Sequence, residues 1–382
     1  MDPARYAAPE VGRPIRVGQG DAAYWAFAPR PLPREIELSR ATVFELSEAD
    51  RAVGALAGLG ARLPNPHLLI RPYLRREAVA STRIEGTQSS LSDVLSAEAQ
   101  LLVETEDQRE VLNYVRAFEH GLNRLPSLPL SKRLIREMHA ELLAGGRGEG
   151  ATPGEFRRSQ NWLGGTNPSN ALFVPPPVHL LEDALDDFEA FLHDELRIPL
   201  LVRCALAHFQ FETIHPFLDG NGRLGRLLIV FYLIERGVLG QPLLYLSPYF
   251  ERNRDEYVGA LQGVRERGDM DNWISFFLRG VAIQAHSAID AADALLRLRE
   301  DFRERLMRAR ARGRAVDAAE ALVGNPFVSV PQLVQSLEVT RQGAQYVISS
   351  LERAGIVQSV PGVMRPNLYV ARAVLDVLQR DD

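Results

Sequence analysis

At 382 residues the chain is long enough for two or three domains of ~150 residues each, and hydrophobic (46%) and charged (24%) fractions are those of soluble globular proteins. No apolar stretch approaches the ~20 residues of a membrane span, and the start, MDPARYAAPEVGRP, lacks the basic-then-apolar order of a signal peptide. A net charge of −5 gives no global reason to expect nucleic acid, and the single cysteine, Cys204, forms no internal disulfide, so a cytoplasmic location is expected.

Residues 1–40 are rich in proline and glycine (APRPLPREIEL) and read as an extended arm wrapped on another part of the molecule. Over 41–125 the pattern turns helical: SEADRAVGALAGLG, HLLIRPYLRREAVASTRIEG, SLSDVLSAEAQLL and DQREVLNYVRAFEHGLNRL place apolar residues near a 3.6 spacing. Gly86 stops the second of these at a C′ position, and Ser90 with Asp93 resembles a capping box opening the third. The stretch 126–300 reads as a core. It opens with the helix SKRLIREMHAELLAG and the irregular GEFRRSQNWLGGTNPSNALFVPPP, where TNPSN between NWLGG and ALFV predicts a short β-hairpin. LLEDALDDFEAFLHDEL is amphipathic, whereas LLVRCALAHFQFETIH is apolar on most faces, as a central buried helix would be. RLLIVFYLIERG, RDEYVGALQGVRERG and NWISFFLRGVAIQAHSAIDAADALLRLREDFRERL supply further helices. In 301–382 three short helices precede IVQSV, a Pro-Gly turn and VMRPNLYVA, which is the order of a winged helix. The expected fold class is mainly α.

Between two apolar helices stands HPFLDGNGRLGR, His215 to Arg226. Taken singly, its parts are a helix cap, two turns and surface arginines. Together they make a site. Gly220 and Gly222 let successive N–H groups point into one concavity that opens onto a helix N-terminus, an anion site. Arg223 and Arg226 share a face of the first turn, where guanidinium groups grip phosphate oxygens in bidentate fashion. Asp219 offers the hard oxygen that Mg²⁺ takes when it bridges nucleotide phosphates. His215, with an ordinary pKa of ~6.5, accepts a proton near neutral pH. A base beside a metal-bound triphosphate implies transfer to an attacking hydroxyl. The P-loop, EF-hand and His-Glu-x-x-His patterns are not matched, and the eight histidines show no zinc spacing beyond His208 and His215.

The stretch resembles the active-site motif of the Fic-domain family, His-x-Phe-x-Asp/Glu-Gly-Asn-Gly-Arg-x-x-Arg, with every fixed position matched. The resemblance implies a helical bundle with a short β-hairpin flap, and transfer of AMP from ATP to a Ser, Thr or Tyr hydroxyl of a target protein, with Mg²⁺ and release of pyrophosphate. By that resemblance His215 is the base and Asp219 the metal ligand; Gly220, Asn221 and Gly222 form the anion hole, and Arg223 and Arg226 hold the β- and γ-phosphates. Gly222 and Arg223 stand where the related Doc kinases usually have Asn-Lys, which favours AMP transfer over phosphorylation. NWLGGTNPSNALFVPPP resembles the flap that aligns a target segment by main-chain pairing. PYFERNRDEYVGAL resembles the adenine-side region, with Asn253 as a base contact or a helix cap.

A second stretch, STRIEG (Ser81 to Gly86), sets Ser81 and Glu85 four apart on one helix face. Glu85 lies in the last turn, where the helix dipole disfavours a carboxylate, so a cationic partner is expected. Arg75, Arg76 and Arg83 are the local choices. By resemblance STRIEG is the family's inhibitory motif, comprising Ser81, Glu85 and Gly86; Glu85 would pair with Arg226, leaving ATP bound but its α-phosphate misaligned, and ~1 Å of misplacement can cost ~100-fold. In some family members the same glutamate supports removal of AMP, so a de-AMPylating or bifunctional enzyme is the alternative.

In TRQGAQYVISSLERAG, Ala344, Val347, Ile348 and Leu351 form the expected buried stripe, leaving Arg341, Gln342, Gln345, Tyr346 and Ser349 exposed, residue types that can read bases. Residues 310–382 hold eight arginines against seven acids, well short of a DNA-binding footprint. Homodimerisation or target recruitment is therefore expected ahead of DNA binding. The non-enzyme alternative is a DNA-binding regulator whose Fic core senses nucleotide.

Overall fold

The computed structural model describes residues 1–20, 23–63, 66–101, 105–145, 149–311, 313–364 and 367–380. The helices in chain order are α1 (Arg40–Arg62), α2 (His67–Ile84), α3 (Leu91–Gln100), α4 (Glu106–Arg124), α5 (Lys132–Leu142), α6 (Leu181–His193), α7 (Leu200–Ile214), α8 (Asn221–Glu235), α9 (Ser247–Arg252), α10 (Arg254–Arg267), α11 (Met270–Arg308), α12 (Arg314–Gly324), α13 (Val330–Leu337), α14 (Arg341–Arg353) and α15 (Arg372–Leu378). Strands β1 (Gly12–Val17) and β2 (Tyr24–Pro29) form one antiparallel pair; β3 (Phe327–Ser329), β4 (Gln358–Met364) and β5 (Asn367–Val370) form another small sheet in the order β3-β5-β4. No helix among the described residues is long and apolar enough to cross a membrane.

The fold is mainly helical and divides into two compact units. One comprises Met1–Gly54, Asn113–Gly240 and Leu246–Gln284, the other Ala55–Leu112, Gln241–Tyr245 and Ala285–Asp382. Both are assembled from separate stretches, whereas the sequence reads as four consecutive segments.

In the first unit α7 is central, with every residue from Leu201 to Ile214 buried. It packs against α6 and α8, and α5 packs against α8. Gly225 permits the close α7–α8 approach, since a Cβ there would lie 3.1 Å from the Phe211 ring and 2.5 Å from Glu212 Oε1. Short α9, with Pro248 in its first turn, is not resolved by the periodicity of the sequence. The first 40 residues are less extended than their composition predicts. Residues 12–17 and 24–29 pair as a hairpin in register from Gly12–Pro29 to Val17–Tyr24, while the stretch from Arg30 to Ser39 runs without regular structure. Gly12 lets the strands close, because a Cβ would meet the Phe27 ring at 2.4 Å. Tyr6, Ala26 and Phe27 bury their side chains with Ala171, Phe173 and Val174, which removes apolar area from water on both segments. The expected hairpin at 161–174 is reduced to a single bridge, Leu163–Phe173. Asn170 and Asn167 side chains accept the N–H groups of Thr166, Asn167 and Ser169 at 2.9–3.0 Å, so side-chain turns close a loop that ladder bonds do not.

In the second unit α2 ends where Gly86 takes φ +103°, and α3 opens on the expected capping box, with Ser90 and Asp93 each accepting the other's N–H. α2 packs against α12 and α3 against β3. Ser329 Oγ donates to Ala99 O and Asn325 Nδ2 to Leu95 O (3.1 Å), joining α3 to the C-terminal residues. The Pro-Gly turn expected at 361–362 is corrected: β4 runs through Pro361 and Gly362, with an irregular register between Ser359 and Met364. β4 is an edge strand, where a missing N–H is tolerated. The connection to β5 falls at 365–366, outside the described residues.

Candidate functional site

The loop between α7 and α8 begins at His215, which ends α7 in the left-handed region (φ 50°, ψ 61°) while its N–H donates to Phe211 O at 2.9 Å. A non-glycine residue holds that conformation only when its surroundings fix it. Here the loop carbonyls are clamped in turn. His215 O accepts from Arg157 Nε (3.0 Å) and Asn161 Nδ2 (3.0 Å), Pro216 O from the Arg157 N–H (2.9 Å), and Phe217 O from Asn161 Nδ2 and Asn221 Nδ2 (both 2.8 Å). Asp219 O accepts from His139 Nε2 at 3.0 Å. Gly154 donates its N–H to His139 Nδ1 (2.9 Å), so the imidazole proton sits on Nε2. Burial holds His139 down to about 4, leaving it neutral, and its ring stacks on Phe217 at 3.7 Å and 11°.

With these carbonyls engaged, the other pole of the loop is the N-terminus of α8. Gly220, at φ +76°, starts the helix, and the first-turn N–H groups that follow lie outside the helix's own ladder where the dipole is positive. The side chain of Asn221 is buried and locked onto Phe217 through both its atoms, so this residue can serve an anion only through its main chain. Arg223 and Arg226 are buried at 5% and 2% exposure, and Arg223 NH2 lies 3.4 Å from Asp219 Oδ2. The Asp219 carboxylate also accepts the Gly220 N–H (2.6 Å) and is half exposed. No group of three or more His, Cys, Asp or Glu that could hold a metal occurs among the described residues. A half-exposed carboxylate beside an anion cradle suits an ion that takes one protein oxygen and completes its shell with phosphate and water.

The segment that clamps the loop also roots the flap. Arg157, 2% exposed, donates through its terminal nitrogens to Ser159 O and Pro176 O, one on each stem. Desolvation lowers it to about 10, and it remains charged. Phe173 lies under the guanidinium of Arg265 at 4.1 Å, and Arg265 donates to Glu212 O (3.0 Å) and Thr213 Oγ1 (3.1 Å) at the end of α7. Tyr6 O–H donates to Leu172 O (2.8 Å) and the Phe27 N–H to Val174 O (2.8 Å), bracing the second stem. Trp162 and Leu172 remain exposed.

Thus His215, Asp219, Gly220, Asn221, Gly222, Arg223 and Arg226 are brought together in one unit. Asn253 belongs to the same unit at the α9–α10 junction, and its amide donates to Tyr249 O (2.9 Å), a helix-capping contact. Ser81, Glu85 and Gly86 belong to the other unit. Ser81 is buried within α2, and Glu85 is the exposed residue that caps its C-terminus. Of the cations near Glu85 in sequence, Arg75 pairs with Glu98 (3.1 Å), Arg76 donates to Arg380 O (2.9 Å) and Arg83 Nε to Ser89 O (3.2 Å). The sequence reading misses Arg157, Asn161 and His139. The available signals were a histidine on the apolar face of an amphipathic helix and an Arg-Asn pair in a glycine-rich stretch.

Residues 43–123 match the model described as the Fic/DOC family N-terminal region, and 129–233 that of the Fic/DOC family. A probable protein adenylyltransferase of Aquifex aeolicus is 28% identical over 200 residues, 50% of this chain and 55% of that protein. The protein adenylyltransferase Fic of Drosophila grimshawi is 32% identical over 203 residues, 51% of this chain and 39% of that protein. The chain therefore spans about half or less of these curated relatives. Among solved structures, a Fic family protein from Desulfovibrio desulfuricans G20 superposes with a TM-score of 0.56 at 19% identity, covering 88% of this chain and 97% of that one. Fic-1 from C. elegans gives 0.52 at 22%, covering 66% and 74%. These two share the fold. Through residues 43–123 and 129–233 the chain belongs to the Fic/DOC family.

Proposed function

We propose that the protein transfers AMP from ATP to a Ser, Thr or Tyr hydroxyl of a target protein. The observation that carries this reading is the clamped loop itself, which sets an imidazole, a half-exposed carboxylate and two buried arginines around the N-terminus of α8. The curated relatives named adenylyltransferases support it. In this reading the N–H groups at Gly220, Asn221 and Gly222, with Arg223 and Arg226, hold the triphosphate. His215 takes the proton of the target hydroxyl. Its oxygen then bonds to the α-phosphorus while the bond to the bridging oxygen breaks, and pyrophosphate leaves with that electron pair. Asp219 would hold Mg²⁺, which supplies charge neutralisation on the phosphates. The flap presents the target segment, with Trp162 and Leu172 as its exposed apolar side chains.

Three further parts belong to the proposal. Glu85 restrains the activity, a role supported by its exposed place at the C-terminal cap of α2. The order α12, β3, α13, α14, β4, β5 supports a winged helix, used for dimerisation or target recruitment. The single, buried Cys204 supports a cytoplasmic location. The test is incubation with mass-tagged ATP. Glu85→Gly should raise labelling of the protein itself above wild type, and His215→Ala in that background should abolish it. Unchanged labelling removes the restraint from Glu85, and labelling that survives His215→Ala removes the base.

A further inference from the structure

Glu212 stands one turn before His215 and takes no part in the family motif. Its Oε2 lies 3.8 Å from His215 Nδ1, with side-chain exposures of 9% and 13%. A carboxylate placed at a buried helix crossing is costly unless something nearby compensates. Room for it exists because position 225 is glycine: any Cβ there would stand 2.5 Å from Glu212 Oε1. Both ends of the pair are anchored through the main chain. Arg265 on α10 holds Glu212 O, and Arg157 and Asn161 from the flap segment hold His215 O.

We propose that Glu212 is a positioning residue for His215. Its carboxylate keeps the Nδ1–H edge of the imidazole turned toward α7, leaves Nε2 to accept the proton of the attacking hydroxyl, and stabilises the imidazolium formed. In a site this buried an anion near 4 Å acts far more strongly than it would in water. Arg157 from the flap segment and Arg265 from α10 stand against the main chain of the pair, and the Asp219–Arg223 pair follows on the loop and α8. The cations work against protonation of the imidazole, and the carboxylates work for it, Glu212 from 3.8 Å. The catalytic half of this inference rests on the AMP-transfer reading; the pairing does not.

The test follows His215 by NMR of ¹³C-histidine-labelled protein, assigned with His215→Ala. Glu212→Gln, nearly the same shape without charge, should lower the His215 pKa by about 1, the lower end of what an opposite charge at this range contributes. Glu212→Asp should restore part of the shift. In a Glu85→Gly background, Glu212→Gln should cut kcat at least ~10-fold with the KM for ATP unchanged, the scale of impaired general-base catalysis. An unchanged His215 titration overturns the pairing, and a shifted titration with unchanged kcat overturns the positioning role. If no variant transfers AMP, the functional reading falls while the titration still decides the pair.

Discussion

Because Gly154 donates to Nδ1 of His139 and Nε2 donates to Asp219 O, this imidazole joins two chain segments only in its neutral form. A proton added at Nδ1 would meet the Gly154 N–H head-on. Burial already holds its pKa at about 4, and His208, which bonds Gly225 O (3.0 Å) and the Tyr257 hydroxyl (2.7 Å), lies lower still at about 3. Both values are below the unfolded value, so between pH 6.5 and 4 the unfolded chain binds more protons than the native one. Stability from this source is complete above pH 6.5 and declines as pH falls, by up to ~1.4 kcal/mol per pH unit for each histidine. The urea midpoint should therefore fall between pH 7 and pH 5. His139→Phe keeps the ring stacked on Phe217 but strands the Gly154 N–H and Asp219 O. It should cost about 2–4 kcal/mol at pH 7 and flatten the pH dependence. An equally steep decline in the variant would remove His139 from this account.

At the scale of elements, the α7–α8 crossing is the contact on which the site depends. Gly225→Ala puts a methyl group 3.1 Å from the Phe211 ring and into the place of the Glu212 carboxylate. The side chain can swing where backbone could not, so the variant should fold, with a loss of about 1–3 kcal/mol and the same lowered His215 pKa as Glu212→Gln. A native His215 titration in this variant would show that the carboxylate finds an equivalent position. The α3 cap permits a simpler measurement: Ser90→Ala removes one half of the capping box and should cost ~1 kcal/mol in urea unfolding. That box was legible in the sequence because both partners lie within four residues. The same locality made HPFLDGNGRLGR legible: its glycines, carboxylate and arginines are consecutive, so their chemistry could be added up along the chain. The clamp was hidden for the opposite reason. Arg157, Asn161 and His139 reach the loop from 54 to 80 residues away, and only folding brings them to its carbonyls. The β1–β2 hairpin was masked by proline and glycine, which read as turn and arm although Gly12 and Pro29 pair across the strands. Pro361-Gly362 read as a turn because the dipeptide favours one, yet an edge strand with an irregular register also accommodates it.

For the molecule as a whole, the use of the C-terminal residues turns on charge. The outer face of α14 is exposed as expected at Arg341, Gln342, Gln345, Tyr346 and Ser349, with Ala344, Val347, Ile348 and Leu351 buried. Shape alone would allow that face to enter a groove of DNA. Affinity for DNA, however, comes chiefly from cations that replace counterions on phosphates. In this region Arg314 pairs with Asp317 (3.4 Å) and Arg372 with Asp376 (3.0 Å), so two of the eight arginines in 310–382 are engaged by neighbouring carboxylates. The chain also carries five net negative charges that repel the duplex. Tyr346, 62% exposed, is of a type enriched where proteins meet proteins. The full-length protein should therefore not retard a 30-base-pair duplex at 150 mM salt even at ~10 µM, a concentration at which an ordinary non-specific binder begins to do so. Retardation that weakens steeply with salt, and is lost in Arg341→Ala, would assign the α14 face to DNA. Without retardation, loss of labelling of a protein target in Tyr346→Ala, with self-labelling intact, would assign it to recruitment.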